Sequence, residues 1–400
     1  MSTKVYITGF GIISSLGNGS KENLRMLCKG SSGIALPQYL PTAYKDEMVV
    51  GEVKYSNEEL KELAGLSNGK TSRTNMLGLV AVKEALVMAG LTQTQCREAG
   101  LINGTSVAGM DISEQYYSSA RKGENLDYTA AFGGHDCGAG TELIADRCHL
   151  EGFISTISTA CSSSANSIML AARKIKAGTH DCIVAGGSDA LSIFTLNGFN
   201  ALKILDRELC RPFDVSRAGL NLGEGAAYLV LESEKSVERR KAKVFAELCG
   251  YGNANDAYHQ TASSPEGRGA ALAIKKALEV SGIKIGAIDY INAHGTGTSN
   301  NDMSESMALK DIFVDNVPAY SSTKSFTGHT LGAAGAIEAV FSVMAIHYNL
   351  KFQNLNLTTP MDVLPQAPLY ALEENQQVNC VLSNSFGFGG NCTSLIFSGL

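Results

Sequence analysis

Phe153-Ile154-Ser155-Thr156-Ile157-Ser158-Thr159-Ala160-Cys161-Ser162-Ser163-Ser164-Ala165-Asn166-Ser167-Ile168-Met169-Leu170-Ala171-Ala172-Arg173-Lys174-Ile175 changes character partway along. Phe153–Ser158 is rich in the aromatic and β-branched side chains that favour a strand. Ser162–Ile175 has the small residues and spacing of a helix, and the turn between them carries a cysteine. Strand, turn and small-residue helix recur at Ala319–Ile346, and each half closes on a strand, Ala227–Leu231 and Ser394–Phe397. A recurrence on this scale points to two related halves with their paired turns facing each other over a site.

The surrounding chain fits that reading. Val5–Ile7 opens as a strand, residues 73–91 read as an amphipathic helix closed by Gly90, and Asp181–Gly186 and Ala226–Leu231 read as buried strands. Strands alternating with helices indicate an α/β fold with covered sheets. No Pro/Ser-rich linker divides the chain.

Composition narrows the function. Of 400 residues, 44 % are hydrophobic and 18 % charged, which supports a large core and excludes disorder. Thirty-three basic against 39 acidic residues give a net charge of −6, which argues against nucleic-acid or anionic-membrane binding. The apolar stretches Leu77–Gly90 and Leu331–Tyr348 each carry glycine and charge, so neither reads as a membrane span. The N-terminus lacks a signal-peptide layout, and a cytoplasmic enzyme is expected. The ten cysteines include no CxxC pair, against a disulfide framework or a zinc site.

Four segments could carry chemistry. Cys161 between strand and helix is expected at a helix N-terminus, where unpaired amides and the macrodipole would draw the thiol down and leave a sizeable thiolate population. His294-Gly295-Thr296-Gly297-Thr298 follows the apolar strand Ile288–Ile291. Lys324 through His329 leads into Gly332–Glu338, and Asn384-Ser385-Phe386-Gly387-Phe388-Gly389-Gly390-Asn391 alternates Phe with Gly. Taken singly, a buried cysteine or a core histidine is the ordinary reading of each. No Walker, Rossmann or HExxH pattern is present.

Together these segments resemble the β-ketoacyl-ACP synthase family, elongating type, in a TACSSS motif around Cys161, HGTGT from His294, KxxxGH from Lys324 to His329, and the terminal GFGG. Arg211-Pro212-Phe213-Asp214 and Leu222-Gly223-Glu224-Gly225 extend the resemblance over nearly the whole chain. The resemblance implies a thiolase fold of two βαβαβαββ halves, residues 1–242 and 243–400, in a five-layer α/β/α/β/α stack. It implies that Cys161 accepts an acyl chain from acyl carrier protein (ACP) and that His294 and His329 serve malonyl decarboxylation. Lys324 and Glu338 would position and polarise that pair. The amides of Cys161 and Phe388 would form the oxyanion hole, with the Phe388 ring as a gate. Thr296 and Thr298 would contact the phosphopantetheine arm, with Phe386, Gly387 and Gly389 beside the substrate. Lys70, Arg73, Arg207 and Arg211 are the expected docking cations for the acidic carrier. No metal or redox cofactor is implied, and the expected assembly is a homodimer, or a heterodimer with a chain-length-factor homologue.

Two departures bear on pathway. Ala218 stands where the family often has Asp, a change expected to touch a structural ion pair rather than catalysis. Ser299-Asn300-Asn301-Asp302 replaces the Pro-Xaa-Gly-Asp of housekeeping elongators and is more similar to secondary-pathway ketosynthases such as those making aryl polyenes. A degradative thiolase would need a second cysteine in a Cys-Xaa-Gly context, which Cys380 and Cys392 lack. A non-condensing chain-length factor would lack the nucleophile. Chain length is expected to depend on residues meeting across a dimer, with Ser106–Tyr117 as the candidate stretch.

Overall fold

The computed structural model describes residues 3–66, 71–124, 134–314, 316–364 and 366–400. Thirteen strands are present among them: β1 Val5–Ser14, β2 Gly17–Asn18, β3 Gly100–Gly104, β4 Ile154–Ile157, β5 Cys182–Asp189, β6 Gly225–Ser233, β7 Ala246–Asn255, β8 Tyr290–Asn292, β9 Ala319–Ser321, β10 Leu350–Lys351, β11 Glu373–Glu374, β12 Cys380–Phe386 and β13 Asn391–Ser398. Ten run in the order β4-β3-β5-β6-β1-β7-β13-β12-β8-β9, β2 pairs with β1, and β10 and β11 form a separate ribbon. Outward from the β1/β7 junction, each set of five has the same order and the same mix of parallel and antiparallel pairs. The junction itself is only Tyr6↔Glu247 and Ile7↔Ala246.

Alternation along the strands explains the layers. In β6, Ala227, Leu229 and Leu231 face one apolar cluster while Ala226, Tyr228 and Val230 face another. A strand covered on both faces has no polar side, so it reads as a continuous apolar run. The inner cluster holds the helices Ser163–Lys176 and Ala334–Tyr348, which pack on each other and on strands of both halves. The helix Arg73–Ala89 covers the outer face of one half, and Arg268–Ser281 with Ser299–Phe313 covers the other. The result is the α/β/α/β/α stack.

Leu331–Tyr348 is long and apolar enough to cross a membrane by composition, and it is largely buried as a central-layer helix, in line with its reading as no membrane span. One expectation changes. The helix Arg73–Ala89 ends at Gly90 as expected, but it is buried nearly all round, because the helices Asn57–Leu63 and Cys137–Cys148 pack on it. β1 runs to Ser14 because β6 pairs with it along its whole length.

Candidate active site

The turns after β4, β8, β9 and β12 converge on one cavity of about 250 Å³. Cys161, His294, His329, Thr296, Thr298 and the Phe386–Gly390 loop all line it. Cys161 lies two residues before the first residue of the helix Ser163–Lys176. Ala160 ahead of it has φ +53°, a left-handed turn that a non-glycine residue holds only under constraint from its surroundings. That constraint is visible. Ser163 Oγ accepts from Thr159 N–H (2.9 Å) and donates to Ala160 O (2.6 Å), and Ser162 Oγ donates to Thr159 O (2.7 Å) and to Asn391 Oδ1 (2.7 Å). Asn166 and Asn253 also donate to Asn391 Oδ1 (2.8 and 2.9 Å), which ties the cysteine turn to the GFGG loop.

The Phe388 N–H points at the Cys161 thiol. A Cβ on Gly387 would sit 2.9 Å from Thr159 O and 3.1 Å from Cys161 N, so only glycine lets the two backbones approach this closely. The Phe388 ring stacks on Phe199, with centroids 5.6 Å apart and planes 14° from parallel. Phe199, on the helix Ile193–Ala201, was not singled out from sequence.

The histidines meet edge to face at 5.4 Å, with Phe386 5.6 Å from His294. Leu331 N–H donates to His329 Nδ1 (3.2 Å). That bond makes Nδ1 the acceptor in the neutral ring, so the proton sits on Nε2. Both rings are fully buried, and desolvation followed by the Lys324 charge holds both well below the ordinary histidine range. They are neutral at physiological pH. Lys324 forms a buried ion pair with Glu338. Burial raises Glu338 to about 7 against the pull of Lys324, and its Oε2 has no partner among the described residues.

Cys161 corrects the expectation of a preformed thiolate. Burial pushes its thiol up to about 11, while Lys324 and the Phe388 and Cys161 amides pull it down and the Asp189 charge adds to the rise. Desolvation outweighs the amides because the sulfur is enclosed.

The carboxylates behind the histidine loop were given no role from sequence, Asp302 being named only as part of Ser299–Asp302 and Glu305 not at all. Glu305 accepts from His294 N–H (2.9 Å) and Gly295 N–H (2.8 Å), and Asp302 accepts from Thr296 N–H (3.0 Å) and Phe213 N–H (2.8 Å). Their signal was legible: two acids three apart open a helix directly after a glycine-rich loop, on one helix face. Thr296 and Thr298 share a hydroxyl bond of 2.9 Å at the cavity wall. Among the described residues, no group of three or more His, Cys, Asp or Glu could hold a metal ion.

The docking set divides. Arg73 is buried and gives its guanidinium to Glu224, Asn57 and Val53 O, so it offers no charge to a partner, a correction to its assigned role. Arg211 is only about a quarter exposed and is balanced by Asp206 and Glu208. Arg207 is exposed and faces Glu47, and Lys70 lies outside the described residues. Lys203, which sequence reasoning passed over, is exposed, lines the cavity and has no ion pair among the described residues. Ala218 forms part of the cavity wall, next in the chain to Arg217, whose guanidinium pairs with buried Asp302 at 4.0 Å.

A doubled α/β stack with a buried cysteine, two neutral histidines and converging backbone amides at its seam defines a condensing enzyme of the thiolase type. The chain belongs to the β-ketoacyl synthase family: the family's N-terminal domain matches residues 2–236 and its C-terminal domain residues 245–358. It is 33 % identical to 3-oxoacyl-[acyl-carrier-protein] synthase 2 of Coxiella burnetii, over 99 % of this chain and 98 % of that one. It is 41 % identical over 256 residues to the mitochondrial 3-oxoacyl-[acyl-carrier-protein] synthase of Arabidopsis thaliana, an alignment spanning 60 % of this chain and 55 % of that protein. The solved structure of the ishigamide ketosynthase/chain length factor superposes with a TM-score of 0.93 at 31 % identity, covering all of both chains. The protein is a ketosynthase, an acyltransferase-type condensing enzyme.

Proposed function

We propose that this ketosynthase joins an acyl group held on Cys161 to malonyl-ACP, giving 3-oxoacyl-ACP, carbon dioxide and free ACP. The observation that carries the reading is the cavity itself, where the buried thiol under the Phe388 N–H shares one space with two neutral imidazoles. In the first half-reaction the sulfur displaces the carrier's thiol from the incoming thioester. The proton leaving Cys161 ends on the carrier sulfur, so no external base is consumed. In the second, malonyl-ACP loses carbon dioxide, and the Nε2–H of His329, with His294 beside it, donates to the enolate oxygen. Neutral donors suit this step, since an imidazolium in a closed cavity would protonate the enolate before it attacks. The enolate carbon attacks the acyl carbonyl, whose oxygen turns to the amides of Cys161 and Phe388. Collapse releases the Cys161 thiolate, which takes one proton from water.

Lys203 at the cavity rim and exposed Arg207 are the cations that would meet an acidic carrier. A secondary, polyketide or aryl-polyene pathway is supported by Ser299-Asn300-Asn301-Asp302 after the histidine loop and by the likeness to a ketosynthase/chain length factor. Edge strand β4, with Ile154 exposed, supports assembly with a second chain of this fold, and Cys161 suits this chain to be the active member.

The test separates the half-reactions. Cys161→Ala should form no acyl adduct by intact mass yet still release labelled carbon dioxide from malonyl-ACP. His329→Ala should keep the adduct and lose the release. Condensation by Cys161→Ala, or loss of both half-reactions in both folded variants, would refute the assignment.

A further inference from the structure

Asp189 ends β5 and is fully buried. No cation pairs with it among the described residues, so its charge rests on donors alone. Thr105 Oγ1 (2.5 Å) and Val107 N–H (3.1 Å) donate to Oδ1, and Ser106 Oγ (2.6 Å) and Gly332 N–H (2.7 Å) donate to Oδ2. Ser106 N–H reaches both oxygens, at 3.1 and 3.0 Å.

Those donors belong to two turns from opposite halves of the chain. The first runs from Thr105 to Ala108, and its Val107 packs in the apolar cluster of Leu191, Leu196, Leu220 and Leu331. The second, Leu331–Ala333, follows His329, and its Leu331 N–H is the bond that fixes the His329 tautomer. Each turn carries a non-glycine residue in the left-handed region, Ala108 at φ +46° and Leu331 at φ +53°. Such conformations persist only where the surroundings impose them. A Cβ on Gly332 would lie 2.7 Å from Asp189 Oδ2 and 2.8 Å from Ser106 N, so the second turn closes directly on the carboxylate.

We propose that Asp189 is a positioning residue that clamps these two turns together, setting His329 for the malonyl step while holding the apolar turn beside it. This deepens the condensation proposed above and rests on it. Its charge also reaches the nucleophile. Asp189 raises the Cys161 thiol and Lys324 lowers it, with neutral His294 and His329 in the same cavity. The two half-reactions should therefore respond in opposite directions when the charge is removed.

The experiment uses purified full-length Asp189→Asn and Gly332→Ala beside wild type. Iodoacetamide alkylation of Cys161 is followed from pH 6.5 to 9.5, and labelled carbon dioxide release is followed from malonyl-ACP. Asp189→Asn should alkylate a few-fold faster than wild type at pH 8, while release falls about tenfold or more as the turn loses a charged acceptor. Gly332→Ala keeps the charge and displaces the turn, so release should fall while the alkylation profile overlays wild type. General loosening of the fold would expose the buried thiol and speed alkylation in both variants, so a Gly332→Ala profile faster than wild type also overturns the clamp. Parallel loss of both rates in Asp189→Asn, or unchanged release in Gly332→Ala, overturns the clamp. If Asp189→Asn fails to fold, Gly332→Ala decides alone. A wild-type chain that releases no carbon dioxide refutes the condensation itself, a separate result.

Discussion

Replacing Lys324 with Met would strand the Glu338 carboxylate in the centre of the protein. Both side chains are almost fully buried, and Glu338 Oε2 already has no partner among the described residues. Breaking a buried pair by removing one member costs about 3–5 kcal/mol, because the remaining charge is uncompensated. The variant can escape part of that cost by protonating Glu338, whose folded-state pKa, about 7 beside Lys324, would rise further without it. A carboxyl raised in the folded state binds more protons there than in the unfolded chain, so its contribution to stability falls as pH rises toward the folded pKa. Above pH 7 the wild-type group is ionised and paired while the variant still holds its proton. The gap between them should then widen by about 1.4 kcal/mol per pH unit until the variant's own pKa is passed. Denaturant unfolding at pH 7 and pH 8 measures this, with about 3 kcal/mol expected at pH 8 and less at pH 7. Lys324→Met/Glu338→Leu removes both charges and should recover most of the loss. A pH-independent loss, or a double variant no more stable than the single, would refute the reasoning.

Phe199→Ala removes the ring that stacks on Phe388; it should slow acylation of Cys161 by long-chain acyl-ACP about tenfold relative to acetyl thioesters, read by intact mass. Lys203→Glu should raise KM for acyl-ACP about tenfold with little change for a small pantetheine thioester, and the difference should shrink in high salt. Wild-type Cys161 should alkylate about tenfold faster per pH unit between 7 and 9, because burial holds its thiol near 11; a plateau below pH 8 would show a preformed thiolate.

What the sequence disclosed was local. Cys161, His294 and Lys324 stand in strand-to-helix turns and the GFGG loop joins the paired strands β12 and β13; glycine and hydroxyl residues mark the chemistry there, and the doubled pattern of strands marked the doubled fold. What stayed hidden depends on which surfaces are covered. Arg73 has the charge of a docking residue, yet Glu224, 151 positions along the chain, draws it inside. The burial that raises the Cys161 thiol, and the Lys324 charge and Phe388 amide that pull it part of the way back, exist only once the other half is folded against it. Asp189 looks like an ordinary strand end until Gly332 is folded against it.

The site thus belongs to neither half. The N-terminal half supplies the thiol and the Asp189 carboxylate; the C-terminal half supplies both histidines, the lysine and one amide of the oxyanion pair. Enclosure at the seam keeps the imidazoles and the resting thiol neutral, and Lys324 is the nearby charge that pulls all three toward their less protonated forms. One cation can therefore serve both chemistries: it eases the thiol toward its reactive form and keeps the imidazoles from becoming acids strong enough to quench an enolate. Its tie to Glu338 rather than to the cysteine leaves the sulfur free to exchange partners while the charge stays fixed.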